Sequence, residues 1–154
     1  LHSCSNIPIT IMSLVTKMTD KELCPCGSDK PYEKCCGPLH TLKEKAKTIK
    51  QLVRARYCAY ARGAGKHREF LIRTWHPSTA QQVNLSAITN DSYSWKGLEI
   101  IQAETRGEMG QVEFKATFSE TPDGPDVIHH ELSRFHRIKG NWLYVEGKVR
   151  EEEA

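Results

Sequence analysis

Between Leu42 and Tyr60, apolar side chains recur at Leu42, Ala46, Ile49, Val53, Tyr57 and Tyr60, the spacing of one face of an α-helix. Lys43, Lys47, Lys50 and Arg54 fall largely on the opposite side. The pattern predicts a helix that opens within "GPLHTLKEKAKTIKQL" and closes at Arg62-Gly63-Ala64-Gly65. A second helix is expected over residues 67–75, burying Phe70 and Leu71. It must stop near His76-Pro77, because a residue before proline is pushed out of the helical region. Residues 78–91 read as a short irregular or helical link.

From Ser94 the period changes to two. "SWKGLEIIQAETR", "QVEFKATFSE", "VIHHELSRFHRIK" and "NWLYVEGKV" read as four strands, with "GEMG", "TPDGPD" and "KGN" as the turns. Val112, Phe114, Ala116 and Phe118 alternate with Glu113, Lys115 and Thr117, so one face is expected to be buried. Helices followed by an antiparallel meander give an α+β fold with the helices on one sheet face. On the third strand, parity places Glu131, Ser133 and Phe135 on one side and His130, Arg134 and His136 on the other; on the fourth it groups Trp142, Tyr144 and Glu146. Arg56 adjoins the apolar stripe of the first helix, and Trp75-His76 stands at a helix end. A cupped sheet under helices could gather several of these into a polar-lined pocket.

Charge adds a polarity to this picture. Residues 42–73 carry ten Lys/Arg against two Glu, whereas the chain from Asp91 onward carries thirteen Asp/Glu against eight Lys/Arg. A basic early face suits RNA, a ribosome or an acidic protein partner. No apolar run approaches the ~18 residues that span a bilayer. Residues 1–17 lack a basic start and a small-residue cleavage site, so they are read as an extension without ordered structure or function. Met18 then opens the part expected to fold. The last residues, 151–154, read as an acidic tail.

Candidate chemistry concentrates in "LCPCGSDKPYEKCCGP", which holds Cys24, Cys26, Cys35 and Cys36. Without a sign of export, the expected compartment is the reducing cytoplasm, where a disulfide framework is disfavoured. The spacing C-x-C-x(8)-C-C is also not the Cys-x-x-Cys of a redox site. Four soft thiolates on a short loop suit a tetrahedral Zn²⁺, with iron chemically possible. Four filled positions leave no open coordination site, so the metal is expected to be structural. Gly27 permits a tight turn, Ser28 or Asp29 could cap a one-turn helix through Lys34, and Lys30 and Lys34 could offset the site's negative charge.

"CPCGSDKPYEKCCG" resembles a SEC-C motif, the zinc-binding module first associated with the tail of the preprotein translocase SecA. The likeness implies a metal-stabilised docking knob for protein partners or ribosomes. Beyond it, "RARYCAYARG", "FLIRTWHPST", "WKGLEI", "GQVEFKATF" and "HELSRFHRIKGNWLYVEG" look like the bacterial YchJ-like family, whose members join a SEC-C motif to a domain similar to nuclear transport factor 2. That resemblance implies a cone-shaped α+β fold with a cavity between helices and curved sheet. It divides the chain into the motif at residues 18–39 and the larger domain at 40–150. Related folds often dimerise through the open sheet face, so a homodimer is an expectation as well.

Two functional readings follow. The favoured one is a cytoplasmic binding or adaptor module that docks a protein or ribosomal RNA partner through the metal knob and the basic helix. The other is a small-molecule enzyme or ligand carrier. Its cavity would be built from Arg56, Tyr57, Trp75, His76, Glu131, Ser133, Phe135, Trp142 and Tyr144, with His76 and Glu131 as the acid–base candidates.

Overall fold

The computed structural model describes residues 22–80 and 92–151. The expectations for residues 1–17 and for most of the acidic tail therefore lie outside the described residues, as do 18–21 of the motif segment and 81–91 of the link. A 3-10 turn, Tyr32–Lys34, precedes helices α1 (Gly37–His40), α2 (Ile49–Ala61), α3 (Arg68–Arg73) and α4 (Pro77–Ala80). Strands β1 (Ser94–Arg106), β2 (Met109–Ser119), β3 (Val127–Ile138) and β4 (Asn141–Val149) follow. They pair antiparallel in the order β1-β2-β3-β4, which gives the α+β meander that the change of period predicts.

Helix α2 is shorter than the apolar spacing suggests. Leu42 adopts φ +64° and is 41% exposed, and the helix starts only at Ile49. Thr48 caps it, its Oγ1 accepting from the Gln51 N–H at 3.1 Å, while Gln51 Oε1 accepts from the Lys47 N–H at 2.7 Å. This reciprocal arrangement satisfies donors that a helix start leaves open, and a threonine cap contributes ~1 kcal/mol. The local signal at Thr48-x-x-Gln51 thus overrides the first two positions of the longer stripe.

Helix α2 is buried along much of its surface. Val53, Arg56, Tyr57 and Tyr60 look into a cavity between the helix and the sheet. Elsewhere on the helix, the Ala55 carbonyl accepts from His40 Nε2 at 2.8 Å, and Cys58 Sγ lies 3.6 Å from Cys24 Sγ. Cys24, Cys26, Cys36 and Leu39 consequently belong to the same buried cluster as Ile49, Leu52, Phe70, Leu71, Val112, Phe135 and Trp142. The cysteine segment shares the main core, and burial of this kind stabilises by about 25 cal/mol per Å² of apolar surface.

Three irregularities curve the sheet. In β1 the register slips between Trp95 and Gly97 and again between Ile100 and Gln102. Trp95, Leu98, Ile100 and Ala103 therefore face inward, opposite Phe118, Ala116, Phe114 and Val112. In β4, Arg134 pairs with Glu146 but Phe135 pairs with Tyr144, leaving Val145 as the extra residue. Such bulges bend a strand and raise its twist. The last one also corrects an expectation: Glu146 does not share a face with Trp142 and Tyr144. The inserted residue turns it outward, where its Oε1 accepts from Arg134 Nη2 at 2.7 Å.

Candidate functional site

The cysteine segment is built by a short turn and a bridge between Leu23 and Pro31. Gly27 takes φ +84° and donates its N–H to the Cys24 carbonyl, and the Cys24 N–H donates to the Lys30 carbonyl. Ser28 and Asp29 do not cap a helix as expected, because the 3-10 turn is preceded by Pro31 and carries no side-chain cap. Ser28 Oγ instead lies 3.1 Å from Cys35 Sγ. The sulfurs of Cys24, Cys26, Cys35 and Cys36 all lie within 4.8 Å of one another, with Cys26–Cys35 at 3.6 Å and Cys35–Cys36 at 4.0 Å. A tetrahedron with metal–sulfur bonds of ~2.3 Å has sulfur–sulfur edges of ~3.8 Å, so these four could hold one metal ion. The described cysteines form no disulfide.

Residues outside the motif complete its surroundings. Tyr32 donates its hydroxyl to His40 Nδ1 at 2.7 Å, while His40 Nε2 donates to the Ala55 carbonyl. The Arg62 guanidinium lies over the Tyr32 ring at 3.7 Å. Cys58 on α2 is fully buried. The neighbouring Cys24 sulfur, together with burial, pushes its thiol up. Sequence reading leaves Cys58 unassigned because it lies off the apolar stripe and 22 positions beyond Cys36.

A cavity of about 310 Å³ separates α2 from the inner sheet face. Its walls are aromatic: Tyr57 and Tyr60 from the helix, Trp75 from the α3–α4 connection, and Tyr93, Trp95, Phe114, Phe118, Phe135 and Tyr144 from the sheet and its approach. Glu131, 9% exposed, supplies a carboxylate. Its Oε1 accepts from His129 Nε2 at 2.8 Å, and its Oε2 accepts from Ser133 Oγ at 2.7 Å and Tyr144 Oη at 3.1 Å. Burial opposes the charge, but the bonds from His129, Ser133 and Tyr144 outweigh it and hold the carboxyl below its usual range. Burial pushes the Tyr57 phenol up to about 12 and raises Tyr60 and Tyr144 as well, so all three are donors near neutral pH.

Arg56 is held apart from Glu131. Its Nη1 donates to the Leu71 carbonyl at 2.9 Å and to Thr74 Oγ1 at 2.6 Å. The guanidinium lies 4.7 Å from the Trp75 ring centre and 4.8 Å from that of Tyr144, a cation–π sandwich. Backbone bonds fix this wall, since the Tyr144 N–H donates to the Thr74 carbonyl and the His76 N–H to the Tyr144 carbonyl, both at 2.7 Å.

Of the residues expected to form the cavity, Arg56, Tyr57, Trp75, Glu131, Ser133, Phe135 and Tyr144 line it; His76 and Trp142 do not. Trp75 bridges to Tyr144 on β4 and lines the cavity, whereas the neighbouring His76 does not reach it. The His76 ring stacks on His136, with centroids 5.8 Å apart, and its Nδ1 is engaged by Ser78. The expected His76–Glu131 pair is therefore not assembled; the imidazole on Glu131 is that of His129. Trp142 packs deeper, beside Gly110 and beneath Arg137. Tyr60, Tyr93, Trp95, Phe114, Phe118 and His129 line the cavity without having been assigned to it. The parity shared by His129 and Glu131 was a usable signal, whereas the bulges of β1 hid the inward direction of Trp95.

Comparison with known proteins places this geometry. The family described as YchJ, middle NTF2-like domain, matches residues 48–147, and the SEC-C motif matches residues 21–38. UPF0225 proteins of Yersinia pestis and of Yersinia pseudotuberculosis are each 42% identical over 131 residues, covering 82% of this chain and 82% of theirs. The solution structure of a SEC-C motif containing protein from Rhodopseudomonas palustris superposes with a TM-score of 0.75 at 31% identity, over 84% of this chain and 100% of that one. The crystal structure of a SEC-C motif containing protein from Psychrobacter arcticus gives 0.70 at 29%, over 88% and 86%. With an NTF2-like sheet and helices behind a SEC-C cysteine cluster, this chain belongs to the YchJ family.

Proposed function

We propose that the protein binds a small, flat, largely apolar molecule carrying one hydrogen-bond donor, held in the aromatic cavity and anchored on Glu131. One observation carries this reading: a buried carboxylate, oriented by three protein donors, faces an aromatic-walled space of about 310 Å³. Among the described residues His129 is the one donor to Oε1, and a carboxylate oxygen accepts two. Aromatic walls with a few fixed polar groups are the usual make-up of a ligand site. The test compares small molecules that co-purify with the native protein and with Ala116→Leu, which fills the cavity. Mass spectrometry should find a compound held by the former and absent from the latter; identical profiles would contradict the reading.

In this account the cysteine cluster holds structural zinc in a reducing compartment, supported by four sulfur donors with no position left for water. Elemental analysis should find about one zinc per chain; iron in its place would correct the metal.

Docking to an acidic partner or ribosomal RNA, the reading favoured by sequence, has a specific observation behind it as well. Lys30, Lys34, Lys43, Lys45, Lys47 and Lys50 are all exposed on or just after the metal segment. Triple reversal of Lys43, Lys45 and Lys47 to Glu should abolish any salt-sensitive co-sedimentation with ribosomes. Equal sedimentation of the variant and the parent would count against it.

A further inference from the structure

We propose that Cys58 is a positioning residue of the metal centre: its neutral thiol donates a hydrogen bond to the Cys24 thiolate and keys the cluster to helix α2. The two sulfurs are 3.6 Å apart and come from separate parts of the fold, 34 residues apart in sequence. Cys58 is wholly buried in the last turn of a 13-residue helix, so its sulfur position is fixed by the core. It lies outside the set of four whose sulfurs all approach within 4.8 Å. A fifth thiolate there would add an unpaired buried charge beside four others, which the protein interior strongly disfavours. A thiol adds none, and it gives the buried sulfur of Cys24 a donor.

The other side of the cluster repeats the arrangement with a different group. Cys35, the most exposed of the four ligands, has Ser28 Oγ at 3.1 Å. A hydroxyl thus serves the solvent-facing sulfur and a thiol the sulfur facing the core. Such outer groups fix ligand direction and tune the electron density on the donor atom, and their loss commonly weakens metal binding 10–100-fold.

Cobalt(II) is the probe, titrated into metal-free protein and its Cys58→Ala and Cys58→Ser variants, with affinity read by chelator competition. Cys58→Ala should bind about tenfold more weakly or worse. Its sulfur-to-cobalt charge-transfer band should move to lower energy, because the thiolate has lost a donor. Cys58→Ser, whose hydroxyl can still donate, should recover most of the affinity and the band position. All three proteins should keep the absorption of a tetrahedral four-sulfur site. Binding of Cys58→Ala within threefold of the parent would overturn the proposal, as would Cys58→Ser being no better than Cys58→Ala. A three-sulfur spectrum in Cys58→Ser would overturn it too, by making Cys58 a ligand. Should Cys58→Ala fail to fold, the serine variant's band position and sulfur count still decide.

Discussion

Tyr144 donates its hydroxyl to Glu131 Oε2 at 3.1 Å while its ring carries the Arg56 guanidinium at 4.8 Å. One side chain thereby contacts both the buried anion and the buried cation. Glu131→Gln should cost about 1–3 kcal/mol in urea denaturation, because donors aimed at a carboxylate lose their charged acceptor. The folded-state pKa of Glu131 is depressed. Its contribution is therefore present above the ordinary carboxylate pKa of ~4.3 and lost as pH falls through the folded value. Glu131→Gln should lack this part of the acid loss; identical pH profiles would contradict the assignment.

Gly147 stands opposite Ser133 on β4, and a Cβ added there would overlap the Glu131 carboxyl group. Gly147→Ala should therefore displace the carboxylate from its three donors and destabilise the fold by about 1–3 kcal/mol, the usual cost of overpacking. A melting temperature equal to the parent's would show that the carboxylate is free to move.

The inward and outward sets explain how much of this could be read beforehand. Strict alternation in β2 makes Val112, Phe114, Ala116 and Phe118 legible, and the spacing of four cysteines announces a metal site. The bulge at Val145 and the two in β1 are one-residue insertions that leave no mark in a period-two pattern, yet they decide where Glu146 and Trp95 point. The contact of Cys58 with Cys24 depends on how a helix packs against a loop, and no local spacing encodes that. Thr48-x-x-Gln51, by contrast, was a readable cap masked by a longer apolar stripe.

His67 packs against His40 with ring centroids 4.3 Å apart and planes tilted by 37°, and its Nε2 is buried without a hydrogen-bond partner among the described residues. Burial, reinforced by His40 and nearby cations, lowers its pKa to about 4. A histidine held neutral in this way stabilises fully above its unfolded pKa of ~6.5, and the contribution falls as pH drops from there toward the folded value. The loss should be on the order of 2 kcal/mol, allowing for partial exposure. His67→Phe should flatten urea midpoints measured between these limits; an unchanged slope would contradict the burial argument.

Because Cys24, Cys26 and Cys36 sit in one cluster with Leu52, Phe70 and Trp142, metal removal should weaken the whole fold. Chelation should lower a single cooperative melting transition by roughly 10 °C or more. This departs from the knob-like independence that the motif suggests by itself. A separate early transition, with the main one unmoved, would restore that independence.

Whether the cavity takes a flat donor-bearing molecule is decided by titrating indole and tryptamine into ¹⁵N-labelled protein. Saturable shifts of the Tyr60, Glu131 and Tyr144 amides are expected, with Kd of about 0.1–1 mM for at least one probe, in keeping with ligands of this size. Ala116→Leu should abolish these shifts. Amides that stay unmoved for both probes, or shifts that persist in Ala116→Leu, would contradict the proposed binding.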